Sequence, residues 1–211
     1  MTILEKSVQG KDKEVLADYF RRFIGLQVLL FEPLSIASLA KLLGDPECSL
    51  RASLRKLRAV FAVPDGEADL PIKILHPSFR DCLTSEDRCN PSFLIDPGSA
   101  HRLLSERCLA HLGDGDALKR DMCNLRLPGT EMEDVDPRVV SRCIPPPMQY
   151  ACVYWARHLI AASDPPVQDD GPTDQFLSRH FFHWLEALSL TRRFPDGIGA
   201  LFQLDSVIAV S

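Results

Sequence analysis

The spacing of apolar residues departs from the helical period at one place along this chain, between residues 60 and 76, and that departure limits the folds open to it. Before it, apolar residues recur every three or four positions, the period of an amphipathic helix. Residues 14–31 carry Val15, Leu16, Tyr19, Phe20, Phe23, Ile24, Val28 and Leu29 in that register. Pro33 ends the segment, because the residue before a proline avoids the helical region. Ser35 then opens a second helix as its N-cap, with Leu39, Leu42 and Leu43 inward and Gly44 as C-cap. A third helix, begun by Pro46 and Ser49, sets Leu50, Leu54, Leu57 and Phe61 on one face and Arg51, Arg55 and Arg58 on another. Two short runs follow, Val60-Phe-Ala-Val63 and Pro71-Ile-Lys-Ile-Leu-His76, around an Asp65-Gly66 turn. That is the pattern of a hairpin. Three helices and then a hairpin is the winged-helix order, a variant of the helix-turn-helix.

Beyond the hairpin the chain reads as helical. Pro77 and Ser78 start a short helix over residues 79–83. Residues 99–112 place Leu103, Leu104, Cys108, Leu109 and Leu112 on one face, and residues 117–125 form a short helical piece. Residues 127–136 are rich in proline, glycine and acid, as loops are. Further helices are expected over 137–143, 148–162, 175–190, the last capped by Thr173 or Asp174, and 195–210. The fold class is therefore mainly α: a winged-helix domain with a leading helix over residues 1–90, then an α-helical domain over 91–211.

At 211 residues the chain has room for one domain or two small ones, and for a core that needs no disulfides. Its net charge of −5 argues against a general polyanion binder, though not against a local basic patch. No apolar run is long enough to span a membrane. The start, Met1–Glu14, has acidic residues and lacks the apolar core of a secretory signal. Seven cysteines with no C-x-x-C pair fit reduced, buried thiols, and a cytoplasmic location is expected.

The sequence holds no G-x-x-x-x-G-K-[ST] loop, no G-x-S-x-G elbow and no H-E-x-x-H, so no catalytic residue is assigned and no enzyme is expected. His180 and His183 lie three apart and could share a metal, but no cysteine or carboxylate pattern completes a ligand set, and they flank Phe181-Phe182 beside Trp184. No metal is assigned. The acidic stretches 131–136 and 164–174 lack Ca²⁺-loop spacing and read as solvated loops. Arg51, Arg55, Lys56 and Arg58 form a basic face on the third helix, the element that enters the major groove in DNA-binding relatives of this order. The acidic turn Asp65-Gly-Glu-Ala-Asp69 would be repelled by phosphates, so nucleic-acid binding is the alternative rather than the first reading. His76 ends the second strand just before a helix start, where its ring can face whatever packs on the hairpin.

Six segments resemble, in collinear order, the region after the nucleotide-binding core of fungal NACHT-type STAND NTPases. These are the NLR-like proteins that include heterokaryon-incompatibility factors. The segments are Phe31–Gly44, Leu75–Leu83, Ala100–Leu109, Leu118–Leu125, Pro147–Trp155 and His183–Leu190, and the resemblance runs over roughly residues 2–205. It implies a winged-helix domain and a helical domain that restrain a nucleotide-binding core. It also implies that His76, in the motif Leu75-His-Pro-Ser-Phe79, contacts the phosphate of bound ADP. Charge-assisted contacts of that kind are strong.

With no Walker motifs in the sequence, this chain alone is expected to bind no cofactor. ADP or ATP belongs to the complete switch, whose core would be supplied in cis or in trans. Residues 2–6 resemble the end of a helix that closes the preceding part of such a module, and the chain is expected to be a regulatory, non-catalytic fragment. A NACHT core or another NLR-like protein is the expected partner. Self-association is expected through apolar surface at residues 26–31 and 181–190. A thiol enzyme would require a cysteine titrating well below about 8.

Overall fold

The computed structural model describes residues 23–55, 60–62, 70–76, 78–115, 117–126, 129–131, 133–163 and 169–208. It is mainly helical, with two short strands among the described residues. The chain divides into two compact units between His101 and Arg102.

The first unit opens with helical residues 23–28, of which Phe23, Ile24, Leu26 and Val28 are buried. α1 (Ile36–Leu43) begins where the Ser35 hydroxyl accepts the Ser38 amide at 3.1 Å. It ends at Gly44, whose φ of 72° suits a residue without a Cβ and lets its N–H reach the last carbonyls. α2 (Glu47–Arg55) packs against α1 and buries Leu50 and Leu54. β1 (Phe61–Ala62) and β2 (Lys73–Ile74) are antiparallel, with Phe61 opposite Ile74. Ser35 bridges Pro71, and the Ile72 amide donates to the Leu34 carbonyl at 2.9 Å, so the entry to α1 runs beside β2.

Two expectations change here. Phe61 does not extend the apolar face of the third helix; it is fully buried in β1, where the strand period has already taken over. The stretch 26–31 is no free surface, since Leu26, Val28 and Leu29 are core residues. The start of the leading helix (residues 14–22), Lys56, Leu57, Arg58 and the Asp65-Gly66 turn lie outside the described residues.

α3 (Ser78–Leu83) follows β2, and α4 (Pro97–Gly113) begins two residues earlier than its apolar pattern indicates. Asp96 explains the difference. Its carboxylate accepts the amides of Gly98 (3.3 Å) and Ser99 (3.0 Å) as an N-terminal cap, and the Ser99 side chain together with these amides holds its carboxyl below the usual range.

His101, on α4, is buried and stacks on Phe31 with ring centroids 5.7 Å apart. Burial, helped by the Arg80 charge, pushes its pKa below 6.5. The folded chain thus favours the neutral ring, and below pH 6.5 the unfolded chain binds the proton first. Stability from this site is full above that pH and falls as acid is added. Melting temperature should drop between pH 7.5 and 5.5, and His101→Phe should flatten the drop.

In the second unit α6 (Pro146–Ala161) packs against α7 (Pro172–Leu190) and α8 (Phe194–Ile208), with the short α5 (Pro137–Cys143) before it. The centre is aromatic. Trp155 and Trp184, both fully buried, meet edge to face at 6.0 Å, and Phe176 meets Trp155 at 5.5 Å. The Trp184 indole donates to the Cys152 carbonyl at 2.8 Å. The Ser105 hydroxyl donates to the Trp155 carbonyl at 3.0 Å, and Tyr150 Oη lies 2.7 Å from His158 Nε2. Tyr150, Ala151, Tyr154, Trp155 and Leu159 are all buried, as their spacing indicates.

Residues 117–125 are turns rather than a helical piece. Asp121, Asn124 and Arg126 have φ of 54°, 55° and 65°. The Asp121 carboxylate accepts the amides of Leu125 (2.7 Å) and Arg126 (3.1 Å), which diverts those donors from a helix. Glu186 of α7 accepts the amides of Asp121 (3.2 Å) and Met122 (3.1 Å). Glu186→Ala should therefore cost about 1.5–3 kcal/mol and speed hydrogen exchange at those two amides. Unchanged exchange there would contradict the assignment.

α7 also starts differently. Thr173 and Asp174 lie inside its first turn, and Gly171 is the N-cap without a side-chain bond. Pro172 at the first helical position is already set to helical φ, so no polar cap is needed.

Candidate functional site

His76 sits where the hairpin meets α3. The Leu75 amide donates to the Val60 carbonyl at 2.9 Å, which carries the strand pairing one residue past β2. The His76 carbonyl then accepts the Phe79 amide at 3.0 Å, the first bond of α3. Phe79 meets Phe61 edge to face at 5.6 Å and 89°. The start of α3 is thereby fixed on the buried side chain of β1.

The imidazole itself is exposed and acts as a cap. Its Nδ1 accepts the Ser78 amide at 3.2 Å and lies 2.6 Å from the Ser78 hydroxyl. A nitrogen that accepts a backbone N–H carries no proton, so in the neutral ring the proton is on Nε2. Nε2 has no partner among the described residues. The site is thus an exposed, oriented N–H donor. Lys73 and Arg80, both exposed, bracket His76 along the chain. Ser78 was legible only as a helix start. Its spacing of two from His76 is the signal that the ring caps its own helix.

The basic face of α2 is less open than its spacing suggests. Arg51 Nη2 lies 2.6 Å from Glu47 Oε1, an i,i+4 pair on the same helix. Arg55 is exposed, and Lys56 and Arg58 lie outside the described residues.

His180 and His183 lie 5.8 Å apart by ring centroid, and His180 stacks on Phe176 at 6.1 Å. Their Nδ1 atoms are buried without a hydrogen-bond partner among the described residues. Among the described residues no group of three or more His, Cys, Asp or Glu is placed to hold a metal ion. The acidic segments act on the backbone instead: Asp136 caps α5, and Asp174 accepts the Asp170 amide at 3.2 Å.

None of the seven cysteines is in a disulfide. Burial pushes the Cys152 thiol up to about 12 and Cys123 up to about 11, and raises Cys89 and Cys108 as well. Thiols so placed are poor nucleophiles. No helix among the described residues is long and apolar enough to cross a membrane.

No family model matches the chain, and no solved structure matches it. One curated protein does. The chain is similar to a fungal vegetative incompatibility protein. That protein, HET-E-1 of Podospora anserina, is 37% identical over 101 residues, which cover 43% of this chain. The chain spans only 7% of the length of that relative. The likeness fits the coarser part of the expectation, a resemblance to fungal NLR-like heterokaryon-incompatibility proteins.

Proposed function

We propose that this chain is a non-catalytic regulatory module of a fungal NLR-like switch. A winged-helix domain over residues 1–90 clasps a NACHT-type nucleotide-binding core through His76. A helical domain over 91–211 relays the state of that core. The core is either attached in a longer chain or supplied as a separate protein.

The observation that carries the reading is the His76 ring: exposed, held by Ser78, and presenting Nε2–H as a fixed donor. A β-phosphate oxygen is an acceptor of the matching kind, and a donor oriented in advance loses little entropy on meeting it. The order of elements supports the winged-helix part of the reading. Residues 23–28, α1 and α2 precede the hairpin, and the Ser35–Pro71 bridge adds a third short strand position beside β2. The likeness to HET-E-1 supports the choice of family.

Nucleotide exchange would then release the clasp, an order or rotation switch driven by loss of the phosphate contact. The test is co-elution of this chain with a separately produced NACHT nucleotide-binding core. The complex should form with ADP and come apart with a non-hydrolysable ATP analogue. Association indifferent to the nucleotide would overturn the proposal, and so would its absence in every state.

A further inference from the structure

A second surface belongs wholly to the second unit and does not depend on nucleotide. At Gly197 a Cβ would lie 2.8 Å from Leu188 Cδ2, so α8 is in close contact with α7 near the turn that joins them. Farther from that turn the same two helices line a groove of about 600 Å³. Its apolar walls include Leu177 and Phe181 of α7 with Leu201 and Phe202 of α8. Phe202 is 70% exposed, which is costly for an aromatic ring with nothing over it. The ionisable groups in the lining are Asp169, Asp174 and Asp205, and no lysine or arginine joins them among the described residues.

We infer that this groove docks an amphipathic α-helix from a protein partner, with its apolar stripe in the groove and flanking lysines or arginines against Asp169, Asp174 and Asp205. Two features of the groove select that occupant. The wall positions 174, 177 and 181, and 198, 201, 202 and 205, repeat at the three- and four-residue spacing that a third helix packs against. The single-sign rim favours basic flanks and repels acidic ones. Asp174 stands in the first turn of α7, so the positive end of that helix is already offset and does not reverse the preference.

Two synthetic helices of about 18 residues test this by fluorescence anisotropy. They share one Leu/Phe stripe and differ only in carrying lysine or glutamate beside it. The lysine peptide should bind at least about tenfold more tightly, and its advantage should shrink as salt is raised. Phe202→Ser should weaken it about tenfold, and Asp205→Lys should abolish the preference between the two peptides. Both substituted side chains are exposed, so each variant should keep its fold, which circular dichroism checks. Equal binding of the two peptides would overturn the inference. Binding indifferent to both substitutions would do the same. Self-association of the chain that Phe202→Ser abolishes would assign the groove to a second copy instead.

Discussion

Trp184→Ala is expected to destabilise the second unit by about 3–5 kcal/mol. The indole is fully buried, meets Trp155 edge to face at 6.0 Å, and donates to the Cys152 carbonyl at 2.8 Å. Its removal opens a cavity between α6 and α7 and takes away the second donor to a carbonyl that the α6 ladder already engages. Domains are commonly stable by only about 5–15 kcal/mol, so the loss is a large share of the whole. The denaturation midpoint should fall steeply. Phe182→Ala is the matched control on the same helix: Phe182 is 80% exposed, and its loss should stay within about 0.5 kcal/mol. Similar shifts for the two variants would mean that the aromatic centre is misassigned.

The second large effect is on nucleotide retention. In a complex with a NACHT core, His76→Ala should speed ADP release about 10- to 100-fold, the worth of one hydrogen bond to a charged group. His76→Gln should fall between, because its amide can still donate. Ser78→Ala removes the hydroxyl 2.6 Å from Nδ1 but leaves the backbone amide that sets the tautomer, so its effect should be smaller. His76 is exposed, and its loss as a cap should lower stability by only about 1 kcal/mol. Release kinetics and stability are thus separable. Fast release with a melting curve lowered by no more than that cap is worth supports a direct phosphate contact, whereas a large loss of both together would make His76 a structural cap alone.

Much of the helical architecture was legible because its signals are local. Ser35 and Gly44 bound α1 where the sequence placed the caps, and the apolar faces of α4 and α6 are the buried ones. The misread places depend on contacts that no window of sequence contains. Residues 117–125 carry helix-forming side chains, but Glu186, more than sixty positions away, takes the amides of Asp121 and Met122. Phe61 fits the face of the third helix by spacing, but its pairing with Ile74 across the hairpin decides its place. The apolar run 26–31 is ambiguous from sequence alone, since core and interface share the same composition.

The site was legible in part. His76 stands out by position, at a strand end before a Pro-Ser pair. The direction of its free proton depends on the Ser78 amide, which only the three-dimensional turn reveals. The basic face of α2 shows the reverse case. The spacing of Arg51 and Arg55 suggests an open patch, and the Glu47 partner one turn earlier removes part of it.

The clasp stands or falls on one calorimetric comparison: ADP titrated into the purified chain, and into the chain mixed with a NACHT nucleotide-binding core. The chain alone should give no heat of binding. The mixture should bind ADP more tightly than the core does by itself, and His76→Ala should erase that gain. Tight ADP binding by the chain alone would contradict the account.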